Sequence, residues 1–237
     1  MTRVDGRANN ETRHIKFTTD YTKNALASVL VEFGDTKVIV TASNDDKKPK
    51  WMDKDDNRGW ITAEYSLLPT STSTRCQRER SKVSGRTQEI QRLIGRALRS
   101  CVDLSLIGER TIIIDADVIQ ADGGTRCASI CGGFVALSLA FERLIKEGKI
   151  EKSPILEPIA AVSAGISNGE VILDLNYAED STAQVDSNAV MTASGKVIEF
   201  QTTAEGEPYD IDTMNEIVSL SKNAIQKIIS LYPVINI

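Results

Sequence analysis

The sequence predicts an α+β fold: one domain over residues 1–237, built of two related halves, about 1–147 and 158–237, packed as one body. Three observations predict it. A hairpin, a further strand and a helix succeed one another in each half. Apolar residues recur at three-and-four spacing in some stretches and alternate in others, which separates helices from strands. A linker, Lys146 to Pro158, divides the halves.

Taken in order, the first twenty residues are polar and mixed. SVLVEFGDTKVIVTA over 28–42 reads as a hairpin turning at Gly34-Asp35, with Thr36 as an alternative end of the turn. A charged loop, 44–59, carries the lone aromatic Trp51, and Trp60 to Leu68 is a strand ending at Pro69. Residues 70–85 are irregular, rich in Ser, Thr and charge. Thr87 is placed to cap a helix, with Glu89 in its first turn. Ile90, Leu93, Ile94, Ala97, Leu98, Cys101 and Val102 form the apolar stripe of that helix, and Arg92, Arg96 and Arg99 gather on another side. Thr111 to Ile119 is a strand with Ile112, Ile114, Ala116 and Val118 on one face. Asp115 and Asp117 lie on the other, so they are either solvent-facing at a cleft or paired with nearby arginines. Cys127 to Ile145 is apolar on most sides and predicts a central helix.

In the second half, Ala161–Ile166 and Val171–Leu175 flank Asn168-Gly169, a strong hairpin signal. A polar connection, Tyr177 to Asn188, precedes strands at Ala189–Thr192 and Val197–Gln201. The last helix runs from about Asp212 to Ile229.

Composition narrows the chemistry. At 41% hydrophobic the chain can bury a sizeable core. No apolar run approaches a membrane span, and residues 1–20 lack a signal-peptide stretch, so a cytoplasmic protein with no membrane partner is expected. The cysteines, at 76, 101, 127 and 131, form no paired CxxC, which argues against zinc and disulfides. His14 is the only histidine; its polar N-terminal setting argues against triad chemistry. The formal charge is −5, yet Arg75 to Arg99 holds eight basic residues against Glu79 and Glu89. Positive charge confined to one segment of an acidic chain suggests an anion site, with a solvated helix face as the alternative.

Two constellations can carry chemistry. Gly123-Gly124-Thr125-Arg126 sits between a strand and a helix, where glycines admit an anion to the backbone and the helix N–H groups, a hydroxyl and a forked cation could bind it. It matches neither a Walker loop nor GxGxxG, and a tight turn with a solvated arginine is the alternative. Asp180 and Asp186, with Glu179 adjacent, are carboxylates in a polar connection that would suit Mg²⁺ or Mn²⁺; surface acids are the alternative. With no histidine base, phosphoryl transfer would rest on positioning and charge neutralisation.

At GWITAEYSLLP (59–69), SGRTQEIQRLIGRALRS (84–100), DADVIQADGGTR (115–126), LDLNYAEDSTAQVDSN (173–188) and IEFQTTAEGEPY (198–209), the sequence resembles ribonuclease PH, a family of phosphorolytic exoribonucleases that process tRNA 3′ ends. The resemblance covers nearly the whole chain. It implies a ribosomal protein S5 domain 2-like fold of two βαβα-type halves, a homohexamer arranged as a trimer of dimers, and activity as a tRNA nucleotidyltransferase. That reaction consumes inorganic phosphate as co-substrate, needs Mg²⁺ or Mn²⁺, trims tRNA precursors and other RNA, and is reversible. It assigns Arg86, Gly124, Thr125 and Arg126 to phosphate, with Arg126, Asp180 and Asp186 as the catalytic set. Asp180 and Asp186 are the metal positions. Arg75, Arg78, Arg80, Arg92, Arg96 and Arg99 fall to the RNA path or ring interface. The chain departs from the pattern at Thr70-Ser71 (usually Arg-Ala), in a shortened 79–84 loop, at Thr202 (usually Gly), and in lacking a proline after its first arginine. A non-catalytic RNA-binding ring subunit is the competing expectation; retention of Arg86, Arg126, Asp180 and Asp186 weighs for the enzyme.

Overall fold

Alternating apolar residues pair the start of the chain into an antiparallel meander: β1 (Ile15–Thr19), β2 (Ala27–Phe33) and β3 (Thr36–Asp45). The computed structural model describes residues 3–53 and 55–233, so Lys54 of the expected 44–59 loop lies outside it. β1 was not anticipated, because its polar residues mask the period; only Ile15 is buried. Gly34-Asp35 is the turn, with Phe33 opposite Thr36 and Gly34 at φ +56°. β4 (Trp60–Leu67), helix α1 (Gly85–Ser100) and β5 (Thr111–Gln120) follow. β5 inserts between β3 and β4, antiparallel to the first and parallel to the second, giving the order β1-β2-β3-β5-β4.

α1 starts earlier than expected. Its cap is Ser84, whose side chain accepts from the Thr87 N–H, so Thr87 lies inside the helix and Glu89 falls beyond the first turn. Ser84 wins because its extended backbone (ψ 157°) aims the hydroxyl at a free helix N–H.

Helix α2 (Thr125–Lys146) then leads to the second sheet: β6 (Ile159–Ser167), β7 (Glu170–Leu173), β8 (Val185–Thr192) and β9 (Val197–Ala204), in the order β7-β6-β8-β9. One helical turn, α3 (Tyr177–Asp180), stands between β7 and β8, and α4 (Ile211–Ser230) closes the chain. The first half therefore runs β4-α1-β5-α2 after its meander, while in the second β8 and β9 are joined directly by a turn and α3 precedes them.

α2 packs on β2, β3 and β5 of the first sheet and on β6 of the second. Phe134 and Phe141 on it are fully buried, each burial contributing about 1.5–3 kcal/mol. One apolar cluster runs through both sheets. By length and composition α2 would also pass as a membrane span, against the expectation that no run approaches one. Its burial between the sheets makes it the central helix the periodicity predicts.

Ile112, Ile114, Ala116 and Val118 of β5 are buried. Asp115 and Asp117 lie half-buried on the opposite face. Burial, then Glu64 and Asp117, pushes the Asp115 carboxyl up; burial pushes Asp117 up, partly offset by Arg78. These acids belong to the outer sheet face.

Candidate active site

The residues expected to handle phosphate and metal line one cleft of about 540 Å³: Arg86, Gly124, Thr125, Arg126, Asp180 and Asp186. They arrive on four elements. Arg86 projects from the first turn of α1, and Gly124 to Arg126 open α2. Asp180 ends α3 and Asp186 is the second residue of β8. The polar connection expected over 177–188 is thus a helical turn followed by a strand, which fixes both acids on regular backbone.

The Gly123-Gly124-Thr125-Arg126 loop is built around two glycines in the left-handed region, Gly123 (φ +73°) and Gly124 (φ +65°). A Cβ at Gly123 would stand 2.5 Å from the Leu175 carbonyl oxygen, and one at Gly124 would stand 2.9 Å from the Arg13 guanidinium. Only glycine lets the loop seat against the backbone of the second half. Gly124 caps α2 without a side-chain hydrogen bond, and the first intrahelical bond comes from Ala128 N–H, so the amides before it face the cleft end. The partial positive charge of a helix N-terminus therefore points into the cleft.

Thr125 and Arg126 already have protein partners. The Thr125 hydroxyl lies 2.8 Å from the Tyr65 hydroxyl. Arg126 donates to Gln201 Oε1 at 3.1 Å and lies 3.5 Å from Glu89, which holds its guanidinium between α1 and β9. Arg86 is exposed, with no ion pair among the described residues.

The acids face this positive end. Both carboxyls are pushed up. For Asp180 the causes are loss of hydration, then the charge of Asp186, opposed by Arg126, Arg86 and Arg13. For Asp186 they are loss of hydration, opposed by Arg126 and reinforced by Glu205. Asp180 keeps surface in solvent at the cleft mouth, yet its crowded surroundings still outweigh the arginines. Neither carboxylate shows a hydrogen bond or ion pair among the described residues. Two oxygen donors that disfavour their own charge suit a hard divalent cation, which stabilises the ionised form of both. Among the described residues no three His, Cys, Asp or Glu side chains converge, so such an ion would complete its shell with water or phosphate oxygens.

Glu179, adjacent in sequence, turns away. Its carboxylate closes the capping box of α3 with Asn176 and receives Arg3 at 2.8 and 2.6 Å. Of the remaining arginines, Arg75, Arg78, Arg80 and Arg92 are exposed. Arg96 forks onto Glu199 of β9 with two bonds of 2.7 Å, and Arg99 lies 4.4 Å above the Trp60 ring and donates to the Ile61 carbonyl. Trp51, exposed, meets Trp60 edge-on at 4.8 Å. Thr202 joins its hydroxyl to Ser187 at 2.7 Å, beside Asp186.

Sequence reasoning missed Arg3, Arg13, Thr36 and Asp174. Arg13 donates to both oxygens of buried Asp174 (2.7 and 3.1 Å) and to the Asp122 carbonyl. One signal was present: Asp174 sits in VILDLN, where a lone carboxylate among apolar residues must find a cation.

Fold and cleft together define a two-sheet α+β protein in which the N-terminal end of a buried helix faces a pair of acids. The chain belongs to the 3′ exoribonuclease family: residues 11–141 match the family's domain 1 and residues 157–224 its domain 2. Among solved structures it is similar to a chain of the Archaeoglobus fulgidus exosome with RNA bound to the active site (TM-score 0.82, 21% identity, 98% of this chain and 92% of that one). It is also similar to rice (Oryza sativa) Rrp46 (0.79, 20%, 97% and 98%) and to a chain of an archaeal exosome core (0.76, 21%, 95% and 88%). At these identities the likeness carries the fold, and that fold is the S5 domain 2-like one.

Proposed function

We propose that this chain is an RNA-handling subunit of a multi-subunit ring and that its cleft carries out phosphorolysis. Inorganic phosphate attacks the terminal phosphodiester of an RNA 3′ end. The new P–O bond forms as the bond to the preceding 3′ oxygen breaks; that oxygen takes up a proton, and a nucleoside diphosphate leaves. The reaction is reversible. The observation that carries this reading is the convergence of Arg86, the Gly124–Arg126 loop and the Asp180–Asp186 pair on one cleft.

The chain's part is charge management. Two anions must approach to bonding distance, and their repulsion is opposed by Arg86, Arg126 and the amides at the start of α2. Mg²⁺ or Mn²⁺ held by Asp180 and Asp186 would supply further neutralisation of phosphodiester oxygens. Phosphate is itself the nucleophile, so the reaction needs no histidine base. The finer reading inherited from the ribonuclease PH resemblance is trimming of tRNA precursors by a cytoplasmic homohexamer.

The second reading is a ring subunit that binds RNA without cleaving it. Two of the fold neighbours, chains of the Archaeoglobus fulgidus exosome and of an archaeal exosome core, support the ring-subunit role that this reading keeps. One experiment separates the two: a 3′-extended tRNA and an unstructured RNA are incubated with protein and Mg²⁺, with and without phosphate. Nucleoside diphosphate release only with phosphate is expected. RNA binding without release would make the chain a non-catalytic subunit, and the mass in solution tests the ring.

A further inference from the structure

We propose that Arg3 and Arg13, from the segment before β1, are positioning residues that hold the two arms of the cleft in register: Arg13 sets the anion loop and Arg3 sets the acid turn. The proposal rests on the phosphorolytic reading and deepens it by assigning each arm its own anchor.

The anion loop has no bulky side chain to lock its backbone, and Gly123 and Gly124 are its most permissive residues. What holds it is outside the loop. Thr36 donates its hydroxyl to the Gly123 carbonyl at 2.6 Å and accepts from the Asp122 N–H at 2.9 Å. Arg13 donates to the Asp122 carbonyl, while the other side of its guanidinium forks onto Asp174. Asp174 is 1% exposed and also accepts from the Arg13 backbone N–H at 2.7 Å. A single planar cation therefore ties the loop of the first half to the end of β7 in the second. Lysine could keep the charge but not the fork.

Arg3 does the same for the acids. It donates to both Glu179 oxygens, to the Leu173 carbonyl at 2.8 Å and to the Asp174 carbonyl at 3.1 Å. Glu179 in turn accepts from the Asn176 N–H at 3.1 Å, closing the box that makes α3 a rigid turn. Asp180 is the next residue. Its placement relative to Asp186 is therefore set by a buried ion pair that never enters the cleft, as partners behind a ligand orient it.

Both anchors are buried, so lysine replacements, which leave no carboxylate uncompensated, are the suitable probes. Inorganic phosphate binding is measured by calorimetry and Mn²⁺ binding by electron paramagnetic resonance, without RNA. We expect R13K to weaken phosphate binding roughly tenfold while leaving Mn²⁺ nearly unchanged, and R3K to weaken Mn²⁺ roughly tenfold while sparing phosphate. T36V and E179Q, which change one polar group each, should reproduce these directions with smaller factors and decide the matter if a lysine variant does not fold. Unchanged binding of both ligands, or equal loss of both in each variant, would overturn the proposal in favour of a purely structural role. Wild-type protein that binds neither phosphate nor Mn²⁺ would overturn the phosphorolytic reading, and this one with it.

Discussion

In the cationic arm of the cleft Thr125 and Arg126 rest on Tyr65, Gln201 and Glu89, whereas the carboxylates of the acidic arm, Asp180 and Asp186, accept no hydrogen bond among the described residues. The backbones of the two arms are equally pinned, one by Thr36 and Arg13, the other by the α3 capping box and Arg3. Only the acids are electrically strained, with both carboxyls pushed up. The difference teaches that the cationic arm is satisfied by its own protein partners, while the acidic arm carries two carboxyls that no protein partner compensates among the described residues.

Replacing an acid should break the contrast most sharply. Asp186→Asn is expected to lower phosphorolytic turnover on the order of 10²–10³-fold, measured as nucleoside diphosphate release at saturating phosphate. Metal-free stability should move the other way. A carboxyl whose folded pKa is raised is neutral and unpenalised below the carboxylate range, and its contribution to stability is lost as pH rises through that raised value. Above the ordinary carboxylate range the raised pKa values of the pair therefore destabilise the fold, and D186N in chelator should melt no lower than wild type. A clear fall in Tm would show that the acids are partners in the fold and that the arms do not differ.

Arg126 stands between the arms, so its removal should affect them in opposite senses. R126A is expected to cut turnover about 10²-fold, with the loss greatest at limiting phosphate, and to leave the assembly size unchanged. Because Arg126 is a positive charge acting on both Asp180 and Asp186, its loss should leave Mn²⁺ binding no weaker. Unchanged turnover at limiting phosphate would remove Arg126 from the anion site.

What was legible in the sequence follows the same division. The helix stripe of α1, the hairpins at Gly34-Asp35 and Asn168-Gly169 and the buried helix α2 all follow from local period and turn chemistry. The GGTR loop was legible because its chemistry is contiguous. The Arg13–Asp174 and Arg3–Glu179 anchors were not: their partners lie 161 and 176 residues apart, and nothing periodic links them. The ends of α1 and β8 were misjudged because Ser84 and Val185 act through local geometry that composition does not display.

The helix arginines offer a milder test. Arg92 is exposed and has no ion-pair partner among the described residues, while Arg99 is spread over Trp60. If α1 carries an RNA path, R92A should reduce the slope of log affinity against log salt for single-stranded RNA by about 0.7. R99A should leave that slope unchanged and instead cost about 1 kcal/mol of stability through the lost cation–π contact. The reverse pattern would move the RNA surface to the Trp51–Trp60 side of the molecule.

The smallest effect is expected at Tyr65, and it tests how the cationic arm holds an anion. The family resemblance gives the Thr125 hydroxyl to phosphate, yet the structure places it 2.8 Å from the Tyr65 hydroxyl. These uses are compatible only if Tyr65 donates, because a hydroxyl has one proton and two lone pairs; the Thr125 proton is then free to point into the cleft. Tyr65 would orient that proton. Tyr65→Phe should therefore raise the phosphate KM about threefold with kcat unchanged, the size of one net hydrogen bond of about 0.5–1.5 kcal/mol. A KM indistinguishable from wild type would instead assign anion binding to the α2 amides and Arg126, with the Thr125 side chain serving the core.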